Sequence, residues 1–276
     1  MQQYIHRLVE HQQIGSHLVW TETNEDDRLI AAAEEAAGLV GAGLMLWSCA
    51  RGLARLGSDG TLEPVGGDGS TVARASTLSD LLEAIGPACS PQEPVIVLAL
   101  DAVGPEPMGA PTQRLLKDVD REWWEEERKI LLILSGVGFD LPPSLNSYLI
   151  PLHLPLPDRE EIAQLVRNAG IQGVDPDALA RRGVGLPEKT LEYVVKRLQN
   201  ADVGVDPFSL VDETKREVMS RTGLLEVAPV PSGVSLGGCE NLKGWFGSRS
   251  PFFLASDEQD VKNRPRGVML LGFPGC

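Results

Sequence analysis

Two short runs constrain the fold more than any other feature of the chain. Val95-Ile96-Val97-Leu98-Ala99-Leu100, and then Lys129 followed by Ile130-Leu131-Leu132-Ile133-Leu134-Ser135, are apolar at nearly every position. As strands they would show apolar side chains to both faces of a sheet, which only a central strand covered by helices on each side tolerates. Between them the heavily charged segment from Thr112 to about Arg128 reads as an amphipathic helix, so the pair makes one strand–helix–strand unit of a parallel sheet.

The flanking sequence extends the same alternation. His17 to Thr21 and Gly43 to Ser48 read as strands, and Asn24 to Ala37 as a helix with Asn24 as its cap and Leu29, Ile30 and Ala33 on the apolar face. Gly57 to Gly69 reads as a surface loop, Thr77 to Ile85 as a helix, and Tyr148 to Leu156 as a short last strand. From Asp158, which caps a helix, the pattern is helical only: Asp158 to Asn168, Pro176 to Arg181, Pro187 to Gln199 and Asp206 to Arg221. The expected organisation is an α/β domain at 1–156, a small helical lid and linker helix at 157–226, and the start of something new at 227–276.

Charge narrows the partners. Among 276 residues there are 25 Lys plus Arg against 39 Asp plus Glu, a net charge of −14, which disfavours nucleic acid and anionic lipid and leaves a basic protein as a fitting partner. No apolar stretch reaches the ~20 residues of a membrane helix, and the start lacks the basic-then-apolar pattern of a secretory signal. These features point to a cytoplasmic protein. Cys49, Cys89, Cys239 and Cys276 form no C-x-x-C pair, and His6, His11 and His17 do not share a helical face, so no metal ligands are expected. Of the adjacent Trp123 and Trp124, helical geometry sends one inward and one outward.

The sharpest motif lies at the end. Val268-Met269-Leu270-Leu271 reads as a strand running into Gly272-Phe273-Pro274-Gly275-Cys276. A phosphate-binding loop is G-x-x-x-x-G-K-[ST], in which glycines let backbone N–H groups wrap the phosphates; here only its first half is present. Some thirty residues earlier stands Ser235-Leu236-Gly237-Gly238-Cys239-Glu240-Asn241-Leu242-Lys243. Together these segments resemble the opening of an AAA-family ATPase module. The resemblance places Gly237 and Gly238 beside the adenine and makes Gly272, Pro274 and Gly275 the first half of the phosphate loop.

In the same terms Val95 to Asp101 resembles the Walker B strand, with Asp101 in the place of the Mg²⁺-holding acid, and Lys129 to Ser135 resembles the sensor strand, with Ser135 facing the γ-phosphate. Ile150 to Ile162 and Gly185 to Glu192 resemble the strand-to-lid junction and a lid helix. The first module departs from the family at two points. Glu22-Thr23-Asn24-Glu25-Asp26-Asp27 stands where the phosphate loop would be, with four carboxylates and no Lys, and Ala102 follows Asp101 where a second acid would polarise water.

The ordered set resembles AAA proteins of cyanobacteria and plastids known as a conserved chloroplast reading frame, whose catalytic module is the C-terminal one. The expected fold is a degenerate P-loop-NTPase-like parallel sheet with flanking helices, a helical lid, and the start of a second AAA module cut within its phosphate loop. The resemblance implies ATP and Mg²⁺ as cofactors of the complete protein, with none bound tightly by this chain, and homo-oligomeric rings when complete. It implies a cyanobacterial-type cytoplasmic location ahead of a plastid stroma. The expected function is the N-terminal portion of a regulatory ATPase, itself without hydrolysis and without catalytic or metal residues. The alternative is a stand-alone interaction module built on a degenerate nucleotide fold.

Overall fold

In the computed structural model, residues 1–57, 59–65, 75–171, 173–200, 206–221 and 238–254 are described. The chain forms two compact units, Met1–Leu225 and Glu226–Cys276. The first opens with helix α1 (Gln2–Ile14), strand β1 (Leu18–Glu22), helix α2 (Asp26–Val40) and strand β2 (Gly43–Ser48). An antiparallel hairpin of β3 (Gly52–Leu56) and β4 (Leu62–Pro64) precedes α3 (Leu78–Ala88), β5 (Val95–Ala99), α4 (Ala110–Glu125), β6 (Ile130–Gly136) and β7 (Ile150–Leu152).

The sheet order is β4-β3-β2-β5-β6-β1-β7, with β2, β5, β6, β1 and β7 parallel. Strands β5 and β6 occupy the middle in register Val95↔Ile130 to Ala99↔Leu134, and every residue of both is buried. Alternation divides their side chains. Val95, Val97, Ile130, Leu132 and Leu134 pack under α3 and α4. Ile96, Leu98, Leu131 and Ile133 pack under α1 and α2, where Ala32, Ala33, Ala36 and Ala37 let α2 approach closely. Each edge strand contains a proline, Pro64 in β4 and Pro151 in β7.

A third core belongs to the lid: α5 (Arg159–Asn168), α6 (Pro176–Gly183), α7 (Glu188–Gln199) and α8 (Pro207–Arg221) enclose Ile162, Leu179, Leu191, Val194 and Leu210. Asp158 caps α5 as read, in a reciprocal pair: its carboxylate accepts from Glu161 N–H at 2.9 Å, and Glu161 accepts from Asp158 N–H at 3.0 Å. In the second unit, α9 (Glu240–Leu254) stacks Arg249 over Trp245 at 4.4 Å.

Several sequence readings are corrected. Helix α1 was not read, because His6, Arg7, Glu10, His11 and four glutamines dilute its apolar face of Tyr4, Ile5 and Leu8. The segment read as loop from Gly57 holds β4. The α2 cap position falls on Glu25, whose side chain makes no cap bond to its own helix, rather than on Asn24. The strand at Val268 to Leu271 lies outside the described residues. Trp123 is 2% exposed and Trp124 67%, as the helical spacing requires.

Candidate functional site

In open α/β sheets ligands bind beyond the carboxyl ends of the strands, where successive connections leave in opposite directions. Here that point is β1: the chain leaves it toward β2 on one side and later returns from β6 to β7 on the other. The residues that follow β1, β5 and β6 therefore define the candidate cleft, with the lid at its side.

After β1, Thr23 turns the chain, donating its N–H to Gly136 O at 3.0 Å and accepting from Glu25 N–H through its hydroxyl at 3.0 Å. Glu25 is 5% exposed, and its Oε1 accepts from the backbone N–H of Glu188 at 2.6 Å, with a second backbone bond from Lys189. These are the first two residues of α7, so the carboxylate occupies a helix N-terminus, the place where helices offer unpaired N–H groups to anions. Burial pushes the Glu25 carboxyl above the usual carboxylate range, with the neighbouring Glu188 charge adding to the effect and the α7 N–H groups and Arg28 opposing it. Its Oε2 is buried without a partner.

Arg28, 5% exposed, fastens the same junction. Its Nε donates to Pro155 O at 3.1 Å, one terminal nitrogen to Glu161 at 2.5 Å, and the other lies 3.8 Å from Glu188. Asp27 pairs with Lys189. Asp26 faces Asp101, and burial, then Asp101, then Asp27 raise its carboxyl. A cleft of about 340 Å³ is left, lined among others by Asn24, Glu25, Asp26, Arg28, Glu188 and Lys189.

The other two strand ends are equally committed. Asp101 is exposed at φ +50, in the left-handed region. Ser135 is fully buried; its hydroxyl donates to Ala99 O and accepts from Asp101 N–H, both at 3.3 Å, so it ties β6 to the turn after β5. Its hydroxyl thus has a backbone partner on each side. Beside it, a Cβ on Gly136 would lie 1.7 Å from Val103 O, so only glycine allows these two backbone segments to approach this closely.

These residues do not fit ATP with Mg²⁺. A phosphate cradle needs free backbone N–H groups and a cation, whereas the turn from Glu22 to Asp27 carries four carboxylates and no Lys. Of the adenine- and phosphate-contacting residues expected from the sequence, Gly238 lies in the second unit as an exposed residue at φ +72 just before α9. Gly237, Gly272, Pro274 and Gly275 lie outside the described residues. What sequence reading missed is that Glu25 and Arg28 each fasten this region to the lid. Its one signal was a charged residue, Arg28, on the otherwise apolar face of α2.

A mostly parallel sheet with its switch point at β1, an Asp after β5 and a helical lid beside the turn after β1 defines a degenerate P-loop-NTPase-like fold. The chain is homologous over about half its length to AAA domain-containing proteins named ycf46. It is 28% identical over 172 residues to the uncharacterized ycf46 protein of Trieres chinensis, covering 59% of this chain and 34% of that one. It is also 28% identical over 181 residues to the ycf46 protein of Guillardia theta, covering 59% and 33%. The chain thus spans about a third of the length of these curated relatives. No protein-family model matches it. Among solved structures, a chain of the E. coli MS115-1 HORMA:CdnC:Trip13 complex aligns at TM-score 0.44 and 13% identity, covering 79% of this chain and 76% of that one. C. elegans PCH-2 aligns at 0.45 and 12%, covering 80% and 68%.

Proposed function

We propose that this chain is the N-terminal part of an AAA-family ATPase whose first module has given up nucleotide chemistry and serves as a regulatory platform for the ATP- and Mg²⁺-dependent module that follows. On this reading the chain itself does not hydrolyse ATP, the complete protein assembles as a ring, and it works in a cytoplasm of cyanobacterial type. The observation that carries the reading is the turn after β1, where Glu22, Glu25, Asp26 and Asp27 stand in place of a phosphate cradle and Glu25 bonds the first turn of the lid helix α7. Ala102 after Asp101 and the internal commitment of Ser135 support it, since each removes a group that would act on the γ-phosphate.

The test is titration of the full chain with a fluorescent ATP analogue and Mg²⁺, alongside a phosphate-release assay. The expected result is no saturation up to about 1 mM and no turnover. Micromolar binding that disappears in Asp101→Asn would overturn the reading for the first module. Binding indifferent to that change would place nucleotide in residues 226–276. Turnover by the wild-type chain would refute the proposal outright.

A further inference from the structure

We infer that a second cleft, beside the turn that follows β5, docks a basic and partly apolar segment of a partner protein. This inference is independent of whether the module binds nucleotide. The cleft has a volume of about 600 Å³, within the range of roughly 300–1,000 Å³ usual for binding pockets. It opens between the N-terminal ends of α3 and α4 and the chain from Asp101 to Gly109. Its wall is mixed, with Leu78, Val103, Met108, Phe139 and the 50% exposed Val137 supplying apolar side chains beside the polar turn from Asp101 to Gly109.

The occupant follows from charge. Asp101 and Glu106 are the sole ionisable residues lining the cleft, both are exposed, and neither forms an ion pair among the described residues. A trough that combines apolar side chains with unpaired acids suits a segment that places a Leu or Met between Lys or Arg residues. The same field repels nucleic acid and anionic membrane.

The cleft is also held open in advance. Gln113 donates from its amide side chain to Met108 O at 2.6 Å and from its backbone to Gly109 O at 3.0 Å. Val103 N–H reaches Ser135 O at 3.3 Å, and the hydroxyls of Ser79 and Thr112 join α3 to α4 at 3.1 Å. Pro105 and Pro107 restrict the turn itself. A groove already ordered in the free protein loses little on binding.

The experiment uses the full chain and a fluorescein-labelled peptide of alternating Lys and Leu, read by anisotropy at about 50 and about 300 mM salt. Two control peptides replace Leu by Ser or Lys by Glu. The expected Kd for the Lys-Leu peptide is about 10–100 μM at low salt. The double variant Asp101→Asn, Glu106→Gln weakens binding about fivefold or more and flattens its salt dependence. Val137→Ser weakens binding while keeping the salt dependence. The double variant Glu34→Gln, Glu35→Gln, which removes the same charge from the exposed face of α2, leaves binding unchanged. All substituted positions are exposed, so thermal unfolding checks that each variant keeps its fold. Equal binding of the Lys-Ser peptide, indifference to Asp101 and Glu106, an equal loss in the α2 control, or no binding of the Lys-Leu peptide each overturns the inference.

Discussion

Replacing Arg28 by Met tests the junction between sheet and lid most directly, because the stem volume is kept and only the guanidinium is lost. Arg28 is 5% exposed and bonds Glu161 at 2.5 Å and Pro155 O at 3.1 Å. The charge-assisted bond is worth about 1.5–3 kcal/mol, and a carbonyl left unpaired costs about 1 kcal/mol or more. Glu161 is 31% exposed and keeps its bond from Asp158 N–H, so part of its lost partner is replaced by water. The net cost is therefore about 2–4 kcal/mol, below the ~3–5 of a fully buried broken pair. For a unit of this size that lowers the melting temperature by roughly 5–15 °C. Arg28→Lys, which keeps the charge but not the forked donors, recovers part of the loss. Urea unfolding followed by tryptophan fluorescence gives the free energy, and hydrogen exchange at the first turn of α7 shows whether the lid loosens first. A cost below about 0.5 kcal/mol for Arg28→Met, the level of an ordinary surface change, would show that the guanidinium does not hold the lid.

Three further outcomes follow from the described geometry. Asp26 has its folded-state carboxyl raised, so the native state binds more protons than the unfolded one between the ordinary and the raised value, and its ionisation costs stability as pH climbs through that window; Asp26→Asn is more stable than wild type at pH 7, and the gap closes in unfolding curves taken at falling pH. Gly136→Ala places its Cβ 1.7 Å from Val103 O, a cost of about 3 kcal/mol or more by urea unfolding. Trp123→Ala, opening a cavity under α4, costs about 3–5 kcal/mol, whereas Trp124→Ala, on the exposed side, stays within about 0.5 kcal/mol.

The central strands were legible in the sequence because burial on both faces leaves no freedom in composition: Val95 to Ala99 and Ile130 to Leu134 admit hardly any other reading. The hairpin β3–β4 was not, since Arg55 and the fully exposed β4 have only one covered side or none, and turn residues such as Gly57 and Gly60 dominate the local pattern. Helix α1 was lost for the opposite reason, its buried stripe being narrow and including His11 and Gln12. At the candidate site the hostility of Glu22 to Asp27 toward phosphate was legible from charge alone. The particular role of Glu25 was not, because its partner Glu188 lies 163 residues away and a lid contact of that kind leaves no local periodicity. Likewise nothing in the run ending at Ser135 reveals that its hydroxyl is spent on the neighbouring strand.

The prolines at the two rims of the sheet bear on how copies of this protein meet one another. A strand can be extended by a neighbour only where its outer backbone offers donors and acceptors in sequence, and Pro64 on one rim and Pro151 on the other each break that sequence within a strand of three residues. Growth by edge-to-edge addition, the route toward fibres, is thereby blunted at both ends. A contact that meets this sheet at either rim finds side chains there rather than an unbroken row of backbone donors and acceptors.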